Sequence, residues 1–285
     1  MNDGRSVIMK KYLKILGIII GGILVLAVLY FTNAFFGNPV SYLLAKSTAK
    51  DYIEQKYGDT DYEIEVVHYD FKTGGYYARI ISPSSKDTYF YLDFSMMGKL
   101  KYDSFDEWVS SRRTTWNRID EVYRELINEV LEAEDFPYES NIAGGEIRGM
   151  FDIEEGSPQK DFGLDPLALE LDKEYDVKAL ATKHGSITFY AYDEEVSVER
   201  ASEILLEITE ILEDKEVPFY AIDFVLQKTR NEDGTMNEDD SYVWLMDFLH
   251  SDIYKEGLEE RVRKSHEETV DYFETQDKEA EVVVK

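Results

Sequence analysis

Residues 62–94 read YEIEVVHYDFKTGGYYARIISPSSKDTYFYLDF. Three runs of β-branched and aromatic residues, Tyr62–Phe71, Tyr76–Ser82 and Thr88–Phe94, are separated by Gly74-Gly75 and by Pro83-Ser84-Ser85. Strand formers punctuated by turn formers at such short intervals specify antiparallel pairing, because a connection of a few residues can only reverse the chain onto its neighbour. In the last run Phe90, Leu92 and Phe94 alternate with Tyr89, Tyr91 and Asp93, which predicts one buried face and one wetter face. Gly98 then turns the chain into a short edge, Lys99–Asp103.

Before this meander, Asn38-Pro39 opens a helical pattern that Gly58 closes, with Val40, Leu43, Leu44, Ser47, Tyr52, Ile53 and Tyr57 sharing a broad face. Earlier still, no charged or strongly polar side chain occurs from Ile15 to Phe31, and the apolar character runs on to Phe36. At about 1.5 Å per residue that stretch spans a hydrocarbon core of about 30 Å. A secretory signal has a shorter apolar core, about 7 to 15 residues, before a small-residue cleavage site. Thr32-Asn33-Ala34 fits such a site, so two readings stand: an uncleaved anchor over 15–36, which is expected, or cleavage after Ala34. Arg5, Lys10, Lys11 and Lys14 precede the span and the next lysine is Lys46, which predicts a cytoplasmic N-terminus and an extracytoplasmic chain from about residue 37 in the plasma membrane. Tyr12 and Tyr30 fit the two interfacial belts. Gly17 and Gly21 form a G-x-x-x-G pair that lets two such helices approach, although glycine is common in spanning helices.

The order of helix, three-stranded meander, aromatic middle strand and late YLDFSMMGKL segment resembles the PepSY-type module of bacterial exported proteins over residues 45–103. The likeness rests on Tyr76-Tyr77, Tyr91, Asp93, Gly98 and Lys99. The full layout, a basic N-terminus, one span, an Asn-Pro-Val start and a longer acidic region, resembles the YfjL-like membrane-anchored proteins of Gram-positive bacteria. That resemblance implies location and architecture and no activity.

Beyond the meander, Trp116, Ile119, Val122, Tyr123, Leu126, Ile127 and Val130 recur at helical spacing over about 114–133, opposite Glu121, Glu125 and Glu129. A domain boundary is expected near Glu134, followed by a strand near Glu146–Ile153. Strands are expected at Asp176–Thr182 and Ser186–Tyr192, joined by Lys183-His184-Gly185 as a hairpin. Next come a helix over Val198–Asp214 capped by Ser197, strands at Tyr220–Arg230 and Tyr242–His250, and a helix over Ile253–Phe273. The expected fold class is α+β: one transmembrane helix, then two small α+β domains with antiparallel sheets and helices on one face. The divisions are 1–14 basic tail, 15–36 span, 40–133 PepSY-like domain, 134–274 acidic domain and 275–285 tail.

The chain carries 31 Lys and Arg against 59 Asp and Glu, a net charge of −28, and the segment before the meander is net basic, so the remainder is more acidic still. Such a field repels phosphate backbones, which excludes nucleic acid as a partner and leaves solubility, or attraction of cationic peptides, basic proteins or divalent ions. With no cysteine, disulfides, thiolate chemistry and cysteine metal sites are excluded. The loop RNEDGTMNEDD places Asn231, Asp233 and Asp240 near calcium-loop positions around Gly234, but Thr229 stands where Asp is needed, the bidentate Glu is missing, and the flanks read as strands. A solvated hairpin loop is the plainer reading, with loose divalent binding by Asp233, Glu238, Asp239 and Asp240 as the other. His68, His184, His250 and His266 have no second histidine at metal-ligand spacing, and no nucleophile elbow, phosphate loop or dinucleotide fingerprint occurs. No catalytic, cofactor-binding or metal residue is therefore assigned. Tyrosine stands out with 21 copies, including Tyr69, Tyr76, Tyr77, Tyr89, Tyr91 and Tyr102 along the first sheet. These rings are either sheet packing or a recognition face for peptide or glycan. The expected function is a single-pass extracytoplasmic module that binds an envelope protein or peptide. A cell-wall hydrolase using an unlocated carboxylate pair and a passive spacer are the alternatives.

Overall fold

The structure, a computed structural model, describes residues 3–150, 153–229, 231, 235, 237 and 241–283. The chain divides between Ser111 and Arg112 into two compact units.

The first unit opens with α1 (Asp3–Phe36), whose side chains from Lys14 onward are nearly all exposed, and continues into α2 (Pro39–Tyr57). Among the described residues, this N-terminal helical run is the only one long and apolar enough to cross a membrane. The break falls at Gly37, whose φ of +70° is left-handed and whose missing Cβ makes room for a ring: an added Cβ would lie 2.8 Å from Tyr69 Cγ. Asn38 caps α2, its Oδ1 accepting from the Ser41 amide at 2.8 Å, and Pro39 takes the first helical position, where a missing N–H costs nothing.

Four antiparallel strands follow in the order β1 (Glu63–Asp70), β2 (Gly75–Ser82), β3 (Ser85–Ser95) and β4 (Leu100–Asp103), the meander that the punctuation of residues 62–94 predicts. Phe90, Leu92 and Phe94 are buried on one face of β3 with Ala78 and Ile80 of β2, while Tyr89, Tyr91 and Asp93 lie on the other. Only the C-terminal part of the expected face meets this core, with Ile53 buried and Tyr57 5.4 Å from the Phe90 ring. Ser41, Ala45, Ala49 and Ile53 are the buried residues of α2, whereas Val40 and Leu43 are 67% and 62% exposed. The sheet face is already filled by large rings, so the helix approaches with a stripe of small side chains at every fourth position.

The second unit begins with α3 (Arg113–Leu131), entered through Arg112 at a φ of +65°. Ile119, Tyr123, Ile127 and Val130 of α3 share one core with the second sheet. The division therefore falls before this helix and not after it at Glu134, because the apolar stripe is buried by strands that come later in the chain. The sheet runs in the order β5 (Ala143–Ile147), β6 (Gly185–Asp193), β7 (Ala221–Lys228), β8 (Tyr242–Leu249).

Two expectations fail here. Residues 177–184 form α4 (Val177–His184), not a strand, since Asp176 caps it by accepting from the Ala179 amide at 3.0 Å and the segment is mostly Lys, Ala and Leu. The hairpin at Lys183-His184-Gly185 is thus a helix end leading into β6. The sheet is also not wholly antiparallel: β6 and β7 are parallel. A parallel pair needs a crossover, which α5 (Val198–Asp214) supplies from its Ser197 cap, burying Ala201, Ile204, Leu205, Ile208 and Leu212. The last helix, α6 (Leu258–Val283), packs along β8 and α5 and continues through most of the expected tail, with Leu258 and Val262 in the core.

Candidate functional site

The outer face of the first sheet carries a connected aromatic surface. Cross-strand pairing sets His68 of β1 opposite Tyr77 of β2, with ring centroids 5.7 Å apart. Tyr77 meets Tyr91 edge-on at 6.0 Å, and Trp108, from a π-helical turn at Asp106–Ser110, meets Tyr91 at 5.4 Å and Tyr89 at 5.8 Å. Arg79 lies 4.9 Å above the Tyr89 ring and pairs with Glu65. Rings held edge-to-face or tilted against their neighbours lose little freedom on contact with a partner, and each keeps a polar tip.

Two other tyrosines of the same strands do different work. Tyr69 donates its hydroxyl to the Ala34 carbonyl at 2.7 Å, and Tyr76 both accepts from the Asn38 amide and donates to the Asn38 carbonyl at 2.8 Å. Together they clasp the end of α1 to the sheet. At the far end of α2, Asp103 accepts from Lys56 at 2.6 Å and from the hydroxyls of Tyr52 and Tyr57 at 2.8 and 2.9 Å. Burial alone would raise this carboxyl, but the hydrogen bonds from Lys56, the Phe105 amide and the two tyrosines hold it below the usual carboxylate range. A carboxylate so fully engaged is a tie between α2 and β4.

In the second unit one arginine crosses the sheet. The Arg148 side chain reaches Asp247 at 2.9 Å, Ser186 at 2.9 Å, Asp223 at 3.3 Å and Glu146 at 3.3 Å, and its guanidinium lies 4.7 Å over the Phe162 ring. Asp247 is 1% exposed and has a φ of +47° at a bulge in β8, where its amide donates to Asp223 at 2.8 Å. Burial pushes the Asp223 carboxyl up to about 6. Asp247 also accepts from the Lys160 amide at 2.8 Å, so the pair of charges fastens the long 148–165 connection onto the sheet. An adjoining cavity of about 300 Å³ is lined by Glu146, Arg148, Gln159, Asp223 and Asp247. Both aspartates share one guanidinium between them, an arrangement unlike two carboxylates facing each other across a sugar ring.

Residues 10–104 match the YfjL-like N-terminal domain, and residues 122–263 match the YfjL-like C-terminal domain. The chain belongs to the YfjL-like family. A search of the curated proteins found no match. A crystal structure of a DUF5037 family protein from Ruminococcus gnavus ATCC 29149 aligns over 78% of this chain and 98% of its own length at 12% identity, with a TM-score of 0.21. The unit boundary at Ser111/Arg112 falls in the gap between the two YfjL-like domain matches.

The histidines of this YfjL-like chain are dispersed. His68 stands on the aromatic face, His184 Nδ1 lies 2.6 Å from the Phe162 carbonyl, and His266 Nδ1 accepts from the Trp244 amide at 3.1 Å. His250 pairs with Glu213 at 3.0 Å beside an apolar groove of about 520 Å³. Among the described residues no cluster of three or more His, Asp and Glu is placed to hold a metal. In the acidic loop, Asn231 and Asn237 hydrogen-bond to Thr235 and Thr229, while Asp233, Gly234, Glu238, Asp239 and Asp240 lie outside the described residues. Sequence reading missed Trp108 and Arg79, which complete the aromatic face, and the Arg148 cluster. For the latter a signal existed: Asp223 and Asp247 interrupt the apolar runs Ala221–Leu226 and Tyr242–Leu249.

Proposed function

We propose that this chain is a single-pass protein of the plasma membrane, anchored by α1 with its N-terminus in the cytoplasm, whose extracytoplasmic first sheet binds an envelope protein or peptide. The observation that carries the binding role is the joined surface of Tyr77, Tyr91, Tyr89 and Trp108 with Arg79 beside it. The acidic character of the chain favours a cationic partner, and aromatic rings receive cationic side chains well. Placement is supported by Arg5, Lys10, Lys11 and Lys14 before the apolar run and by the resemblance of residues 45–103 to PepSY-type modules of bacterial exported proteins. Anchoring without cleavage is supported by the clasp, since Ala34 and Asn38 are bound to Tyr69 and Tyr76 on both sides of the cleavage position.

The test is photocrosslinking on intact cells. Benzoylphenylalanine at position 77 or 91 is expected to give a discrete heavier adduct, while the same probe at Glu63, on the opposite end of β1, gives none. Equal, diffuse labelling at all three positions would remove the sheet face from the binding role.

A further inference from the structure

The apolar residues that α2 turns away from its own sheet are gathered with others at one place. Asp70 pairs with Gly75 and Gly75 with Ser95, so the β1–β2 turn at 71–74 and the β3–β4 turn at 96–99 sit at the same end of the sheet. That is the end where Tyr69 and Tyr76 clasp α1. Gly98 brings the second turn against the start of α2: a Cβ there would lie 2.7 Å from Leu44 Cβ. Phe71 and Met97, at the tips of these turns, are 59% and 79% exposed, as are Val40 and Leu43 on α2, and Phe36 at the end of α1 is 79% exposed.

We infer that this end of the first unit is a lipid-contacting surface, with Phe36, Val40, Leu43, Phe71 and Met97 seated in the interfacial layer of the bilayer that α1 crosses. The inference rests on reading α1 as a span. Three observations select lipid over another occupant. First, the patch continues the span without a gap, since only Gly37 and Asn38 separate α1 from α2. Second, the length fits: Ile15 to Phe36 at about 1.5 Å per residue covers a core of about 30 Å, which puts Phe36 at its edge and the next turn of helix within the headgroup layer. Third, the charge fits. In this strongly acidic chain the segments 35–46, 71–77 and 96–101 contain no Asp or Glu and supply Lys46, Lys72 and Lys99, all exposed, to anionic headgroups, while the neighbouring Asp70 is taken up within the turn by the Lys72 amide and the Thr73 hydroxyl. Large exposed apolar side chains ringed by lysines are what an interface-seated surface requires.

The test uses the full chain, which has no cysteine of its own, reconstituted into vesicles containing phosphatidylglycerol. Single variants Leu24→Cys, Phe71→Cys, Met97→Cys and Asp59→Cys, the last beyond the far end of α2, carry an environment-sensitive fluorophore. Lipids spin-labelled near the headgroup are expected to quench positions 71 and 97, lipids spin-labelled deep in the acyl chain to quench position 24, and iodide to quench position 59 alone. Iodide quenching at 71 and 97 without lipid quenching, while position 24 is still quenched from the acyl chain, overturns the surface and leaves the span intact. No quenching at 24 overturns the span and the surface with it. Shielding of 71 and 97 from both quenchers means that a protein, a second copy or another chain, covers the patch, which also overturns the inference. Replacing phosphatidylglycerol by phosphatidylcholine is expected to weaken quenching at 71 and 97, and unchanged quenching removes the lysines from it.

Discussion

Arg148 is the side chain whose removal should be felt most. Asp247 is 1% exposed, and without the guanidinium its charge keeps only the Lys160 amide for company. Arg148→Met is expected to destabilise the second unit by about 3 to 5 kcal/mol, the usual consequence of stranding one member of a buried ion pair. Arg148→Met combined with Asp247→Leu should cost less than the single change, because no charge is then left buried. Denaturant titration of the three variants checks the order, and a double variant worse than the single one would refute it. Asp223 makes a second prediction with a defined sign. Its carboxyl, held at about 6 in the folded chain, binds a proton more tightly than the unfolded residue at about 3.9. It therefore contributes stability fully below about pH 4, and the contribution is lost as pH rises through about 6. Asp103 behaves in the opposite sense: its carboxyl is lowered on folding, so its contribution is present above about pH 4 and disappears as pH falls through the folded value. Asp223→Asn should flatten the dependence of melting temperature on pH between 4 and 6, and an unchanged slope would show that another group sets it.

The helices and strands were legible in sequence wherever one periodicity had one cause. The meander reads from turn residues and alternation because both are local. The stripes of α3 and α5 read from their spacing because each helix buries one side only. The rotation of α2 did not read, since Val40, Leu43 and Leu44 form as apolar a stripe as any, yet Ala45 and Ala49 are the residues at 0% exposure. Which stripe a sheet accepts depends on the rings already on it, and that is non-local information. Likewise α4 was hidden because an eight-residue segment carries too little pattern to separate helix from strand, and the parallel β6–β7 pair because pairing partners are chosen by the crossover between them. The rotation gives a sharp comparison. Ala49→Leu should overpack the helix–sheet contact and cost about 1 to 3 kcal/mol, whereas Leu43→Ala, on the exposed side, should change stability by less than about 0.5 kcal/mol in detergent. Thermal melts of the two variants decide it, and the reverse order would restore the face that the apolar spacing predicts.

The joint between α1 and the first sheet bears on whether the proposed anchor is retained. Cleavage after Ala34 would remove Asn33, whose carbonyl accepts from the Gly37 amide at 3.0 Å and whose side chain accepts from Asn38 at 2.8 Å, and would cut the backbone at the Ala34 carbonyl that Tyr69 holds. A fold that uses the residues on both sides of the position as partners is expected to keep them. Ala34→Leu, which abolishes the small-residue pattern, should therefore leave size and location unchanged. A wild-type chain starting at Phe35 in the medium, missing from the Ala34→Leu culture, would instead identify a signal peptide. The span itself is tested by Leu24→Arg with Val25→Arg. Each arginine near the bilayer centre costs about 2.5 to 3.5 kcal/mol on insertion scales, a sum that the neighbouring apolar residues offset poorly when both fall on consecutive positions of one helix. The double variant is expected to leave the membrane fraction, and with it to lose protease accessibility from outside intact protoplasts, where the wild-type chain should be digested beyond Pro39 while an N-terminal tag is spared. A wild-type C-terminal tag that stays shielded until the protoplasts are lysed would reverse the orientation, and would place the lysines at 46, 72 and 99 on the cytoplasmic leaflet and those that precede the span on the outer one.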